Sequence, residues 1–223
     1  MQHVLLIYGL GRTPFSLFRL ATVVRQSGYC PSFFGYSSTI EPMLRIVARL
    51  KLHIERVQPT VILAHSLGGI LTRLALTQTQ LPSLKQIVMI GTPNQPPRLA
   101  KWFMQRWWFR IFAASCGEFL ASAEAYQQLP TLPCDVTIFA GTAGPCGKFS
   151  PFGVELNDSV VSVSETKLNE QTEPILIPAL HSFMMNHPMV SAGIHQLLSL
   201  EGVGLNTDNR TGMPIQRHQP ITD

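Results

Sequence analysis

Short apolar runs alternate along the chain with longer segments in which apolar residues recur every three or four positions. The runs at 4–8, 31–36, 60–65, 86–92, 135–141 and 174–179 predict β-strands, and the segments 13–26, 40–57, 67–77 and 187–200 predict helices. Regular alternation of this kind is the pattern of βαβ units. The chain is therefore expected to have an α/β fold, with a compact, mainly parallel sheet of about six strands flanked by helices. Residues 93–133 are too many for an ordinary crossover and predict a helical insertion beside the sheet. After residue 200 the composition turns to Gly, Asn, Thr, Pro and Gln. The expected organisation is thus a single domain over 1–200, with 93–133 as a cap or lid and 201–223 as a loose tail.

Composition narrows the picture. Of the 223 residues, 45% are hydrophobic and 13% charged, about half the usual charged share of roughly 25%, which excludes a disordered chain. No apolar run is long enough to span a bilayer, and the opening MQHVLLIY has no charged leader or cleavage pattern, so the expectation is a cytoplasmic protein, at most peripheral to a membrane. Cys30, Cys116, Cys134 and Cys146 form no C-x-x-C pair, and no histidine spacing suggests a metal. Four reduced packing thiols are the simplest reading.

Charge is unevenly distributed. Residues 1–117 carry 13 Lys and Arg against 2 acids, Glu41 and Glu55, whereas 118–223 carry 4 against 11. Such a balance fits either two halves that compensate each other in one fold, or a positive face for an anionic lipid or substrate. Nucleic acid is not an expected partner, since no binding motif accompanies the charge.

The sharpest local signal is VILAHSLGGI at 61–70, a β-rich run that passes into a helix with no linker. A serine on so tight a turn needs tiny neighbours two residues to either side, because strand and helix backbones pass close together. Ala64 and Gly68 supply them. The pattern is that of a nucleophile elbow with Ala64 at the first glycine, and it presents Ser66 at a helix N-terminus whose N–H groups favour negative charge.

The blocks VLLIYGLGRTPFSL, AHSLGG, IVMIGTPNQPP, LNDSVVSVSET and ILIPALHSFMMNHP occur in this order between Val4 and about Leu200. In that order they resemble lipase-like α/β-hydrolases, in particular small bacterial lipase or esterase-like proteins of the lipase class 2 kind and the hydrolase domain of GPI inositol-deacylases. The resemblance implies an α/β-hydrolase fold and a triad in the chain order nucleophile, acid, histidine. Ser66 is then the nucleophile. Asp158, in a block where Ser159 replaces the family's glycine, is the acid, with Glu155 and Glu165 as reserves and Asp135, at the start of its strand and so at the far end of the sheet, a weaker choice. His181, just after the last strand, is the base, and His187 is the runner-up. Two backbone donors are needed for the oxyanion. Leu67 N–H is one, and Leu10 N–H is nominated as the other, from a loop where Tyr8 replaces the family's His.

The insertion holds all three tryptophans. On a single helix over 98–112, Phe103, Met104, Trp107 and Ile111 would share one side, with Arg98, Lys101 and Arg106 mostly across from it. Tyr8, Trp102, Phe103, Trp107 and Trp108 are the expected substrate-binding or lid residues. The stretch fits a lid, a cap packed on the domain, or a contact with an anionic membrane. The expected activity is hydrolysis of a carboxylic ester with a hydrophobic acyl group, with no metal and no cofactor. Acyl transfer, thioester hydrolysis, and lipid or partner binding without turnover remain open at this point.

Overall fold

The computed structural model describes residues 2–77 and 81–203, apart from the side chains of 101, 108–112, 114 and 201–203. Six strands form one parallel sheet: β1 (His3–Ile7), β2 (Cys30–Phe33), β3 (Val61–His65), β4 (Gln86–Ile90), β5 (Asp135–Gly141) and β6 (Ile175–Ile177), in the order β2-β1-β3-β4-β5-β6. The central strands β3 and β4 are buried at every position, so their apolar runs do not alternate with polar residues. This is what a sheet covered on both faces requires. Helix α1 (Phe18–Gln26) packs with α8 (Pro188–Val203), where Ser27 Oγ lies 2.8 Å from His195 Nδ1. Helix α2 (Met43–Val57) packs with α3 (Leu67–Ala75).

Element ends differ from the sequence expectation for local reasons. Residues 14–17 form a 3-10 turn before α1, with Pro14 at its first position, and α2 starts only after Pro42, whose fixed φ suits a helix entry. A short α7 (Val163–Thr166), closed by a capping box between Ser162 and Glu165, was not expected. Of the anticipated tail, 201–203 form the last turn of α8, and 204–223 lie outside the described residues.

The insertion is not one long helix. It consists of α4 (Arg98–Met104), α5 (Trp107–Ala121) and α6 (Ala123–Gln127), with Arg106 in extended backbone, φ −94° and ψ 119°, between the first two. The shared face drawn through Phe103, Met104, Trp107 and Ile111 is therefore split between two helices. Several ties hold the insertion to the domain, among them the following. Arg98, expected on a polar lid face, pairs with Glu155 and, at 3.2 Å, with Glu165. Ser115 Oγ accepts from Met43 N–H at 2.8 Å. Arg73 of α3 donates to the carbonyl oxygen of Pro130 at 3.0 Å.

The sheet order reverses between β1 and β3, where the C-terminal ends Ile7 and Ala64 stand side by side. A crevice opens at such a switch point, beyond the carboxyl ends of the strands. Helix α3 crosses it against bare backbone: a methyl on Gly68 would lie 2.6 Å from the carbonyl oxygen of Ile7. Gly35, by contrast, has nothing within 4 Å of that position. Gly68→Ala is expected to cost about 1–3 kcal/mol in urea denaturation through overpacking, whereas Gly35→Ala leaves the midpoint nearly unchanged.

Candidate active site

Strand β3 ends at His65, α3 begins at Leu67, and Ser66 alone makes the turn, with φ 52° and ψ −122°. A non-glycine residue in that region is strained and persists only where its surroundings hold it. Here Ser66 N–H donates to the Ile90 carbonyl at 2.9 Å, and its carbonyl accepts from Gly69 N–H at 3.0 Å. Gly9 presses from the β1 side, where a methyl would come within 2.9 Å of Ser66 Cβ. Ala64 is fully buried, so its methyl group fits at this junction.

His181 lies on the loop after β6. Its Nδ1 is 2.6 Å from Asp158 Oδ2, its Nε2 is 2.9 Å from Ser66 Oγ, and its backbone N–H donates to the Asp158 carbonyl at 2.8 Å. Asp158 is buried in the turn after β5, and its second oxygen, Oδ1, accepts from Val160 N–H at 2.9 Å and Val161 N–H at 2.7 Å. These bonds point Oδ2 at the imidazole. The departure at Ser159 has a local cost, since Ser159 adopts φ 81° and is held by its N–H to Asn157 Oδ1 at 2.9 Å. Ser66, Asp158 and His181, separated by up to 115 residues in the chain, thus form one hydrogen-bonded row.

The other candidates lie elsewhere. Glu155 and Glu165 are engaged with Arg98, Asp135 is exposed at the opposite end of β5, and His187 Nδ1 accepts from Met189 N–H at the start of α8. The N–H groups of Leu10 and Leu67 make no hydrogen bond among the described residues; Leu67 directly follows Ser66, and Leu10 follows Gly9, which packs against it. Tyr8 is buried, stacked on Tyr36 at 4.6 Å, and donates its hydroxyl to the Tyr36 carbonyl. Its ring fixes the loop that carries Gly9 and Leu10. Trp102 and Trp107 are exposed, Phe103 is half-buried against Trp102, and the side chain of Trp108 lies outside the described residues. A groove of about 500 Å³ runs between α4 and the segment 148–151, and Ser66 is not among its lining residues.

Three features had no functional reading in the sequence. Gly91, which lies inside the predicted strand 86–92, has φ 58°, and a side chain on it would meet His181 Nδ1 at 3.2 Å and Asp158 Oδ2 at 3.3 Å. A side chain on Gly141 would meet Asp158 Cβ at 2.6 Å. The ends of β4 and β5 therefore have to be bare for the acid and imidazole to sit between them. His65 is the third. It is buried, and its Nε2 lies 3.2 Å from the His181 carbonyl, an acceptor that requires the proton on Nε2.

Among the described residues, no group of three His, Cys, Asp or Glu is placed to hold a metal ion, and no helix is long and apolar enough to cross a membrane. No protein-family model matches the chain, and no curated protein matches it. Solved structures do. An esterase from Exiguobacterium antarcticum matches with a TM-score of 0.61 at 11% identity, covering 89% of this chain and 92% of the other. An extracellular α/β-hydrolase from a Paenibacillus species matches at 0.57 and 15%, over 89% and 98%. This chain has the α/β-hydrolase fold. Phospholipase PlaB from Legionella pneumophila matches at 0.62 and 15%, over 94% of this chain but 59% of its own.

Burial, with the nearby His181 next, holds the His65 imidazole well below its ordinary 6.5, so the native state keeps it neutral where the unfolded chain takes up a proton. Stability is then full above pH 6.5 and falls as the pH drops below that value. Urea titrations between neutral and mildly acidic pH are expected to show a slope approaching about 1.4 kcal/mol per pH unit from this group, and His65→Gln removes that share.

Proposed function

We propose that this protein is a serine hydrolase that cleaves carboxylic esters with apolar acyl groups through a covalent acyl-enzyme. The observation that carries the reading is the unbroken row from Asp158 Oδ2 through His181 to Ser66 Oγ, with contacts of 2.6 and 2.9 Å, built on a strained turn. A serine hydroxyl is a weak nucleophile until a base accepts its proton within hydrogen-bond reach.

The steps follow from this geometry. His181 Nδ1–H donates to Asp158, which leaves Nε2 as the acceptor for the Ser66 proton. Ser66 Oγ attacks the ester carbonyl, its proton passes to Nε2, and the carbonyl oxygen becomes an oxyanion that Leu10 N–H and Leu67 N–H receive. Collapse expels the alcohol, which takes the proton from His181. Water then repeats the sequence on the acyl-Ser66 ester, freeing the acid and restoring the hydroxyl. Asp158 keeps the imidazole in one tautomer and balances its charge between the two proton transfers.

The names of the structural neighbours, an esterase and a phospholipase, support ester cleavage. The insertion, tied at Arg98, Ser115 and Pro130, acts as a roof rather than a free flap, and Phe103 and Trp102 supply the apolar wall for an acyl chain. The test is steady-state hydrolysis of short and long p-nitrophenyl esters. Asp158→Asn is expected to lower kcat by about 10⁴-fold and Ser66→Ala by roughly 10⁶-fold, with KM little changed. Phe103→Ala raises KM for the long ester more than for the short one. Turnover that survives Ser66→Ala contradicts the reading.

A further inference from the structure

Exposed hydrophobic side chains are ordinary when scattered, and informative when they gather. Among the described residues the most exposed large hydrophobic side chains, from Phe15 at 73% to Phe149 at 97%, also include Ile40, Leu44, Trp107 and Val154. Five of the six lie between the C-terminal end of a strand and the first turn of the next helix, Phe15 after β1, Ile40 and Leu44 after β2, and Phe149 and Val154 after β5. Trp107 opens α5 just past α4, which lines one groove with Phe149. In a parallel sheet these segments share one end of the molecule. It is the end at which Ser66 turns.

Charge at this end favours one kind of occupant. Arg12, Arg106 and Lys148 lie on the same segments and form no ion pair among the described residues; Arg106 instead stacks on Trp102, 4.7 Å from the ring centre. The carboxylates nearby are spent internally, Glu41 on Arg49, Glu155 on Arg98 and Asp158 on His181. Glu118 and Glu124 stand further along the insertion, at the end of α5 and on α6. The result is a set of protruding apolar side chains with cations on the same segments. A second protein copy needs a matching surface, whereas a bilayer accepts protruding tips one by one, seats tryptophan at its interface and holds Lys and Arg at anionic headgroups.

We propose that the protein docks by this end on an anionic lipid surface, placing the Ser66 crevice against the membrane. That the docked lipid also supplies the ester rests on the hydrolase reading above; the docking itself does not.

The test is flotation of the full-chain Ser66→Ala protein, which binds without turnover, with vesicles of phosphatidylcholine alone and of phosphatidylcholine with phosphatidylglycerol. Co-flotation with the anionic vesicles is expected, falling about fivefold for Arg106→Ser and for Lys148→Ser, at about 1 kcal/mol per cation near such a surface. Phe149→Ser is expected to lose about tenfold, the scale of withdrawing one aromatic side chain from an apolar phase. Leu200→Ser, on an exposed residue at the opposite end of α8, leaves flotation unchanged. Circular dichroism shows whether each variant is folded. Absence of flotation with both vesicles overturns the proposal, as does flotation that Phe149→Ser leaves intact, or a dimer in light scattering that Phe149→Ser dissociates. Flotation retained by a protein whose wild type hydrolyses no ester would reject the chemistry and leave the docking standing.

Discussion

The turn at Ser66 is the constraint on which the rest of the structure depends. One residue takes the chain from β3 into α3, at a φ that a side chain rarely adopts, and no loop residue is available to relax it. The strain is held from several directions: the Ile90 carbonyl on the β4 side, Gly9 on the β1 side, and the bare Gly68 backbone against Ile7. Because these are main-chain contacts of adjacent strands, the sheet itself fixes the hydroxyl. A site built this way is placed by the most rigid part of the molecule.

Around that fixed point Asp158 and His181 are brought in by loops that are held by hydrogen bonds of their own. Asp158 is locked by two backbone N–H groups before it meets the imidazole, and His181 is held by its main chain at both ends, N–H to Asp158 and carbonyl to His65. The glycines at the ends of β4 and β5 give these groups room. Arg73 extends the network outward. It bridges Asn94 at 3.2 Å and the Pro130 carbonyl, and Asn94 in turn donates to the Thr166 carbonyl at 2.8 Å. Helix α3, the start and end of the insertion, and the end of the acid loop are joined through one buried guanidinium.

The alternation of apolar runs and helical segments made the six-stranded sheet legible, and Ala64-His-Ser-Leu-Gly68 made the turn legible, because tight backbone packing restricts which residues can stand there. Asp158 and His181 were readable only through chain order and a family resemblance, since nothing local distinguishes them from other acids and histidines. Gly91, Gly141 and His65 were not readable as parts of the site. Their importance is what they face across the sheet, and that is a property of the fold. The insertion misled for a related reason: no Pro or Gly marks the break at Gln105 and Arg106, and Arg98 is drawn out of the expected polar face by Glu155 and Glu165, about sixty residues away.

The central claim is that Ser66 is activated by His181, and covalent capture tests it without knowledge of the natural substrate. Wild-type protein is incubated with a fluorophosphonate, and the product is read by intact mass and peptide mapping. The account predicts a single adduct on the peptide containing Ser66, formed quickly by the wild type and at least about a hundredfold more slowly by His181→Ala, the scale of removing a general base. An adduct on another residue, or a folded wild-type protein that stays unlabelled, would contradict it.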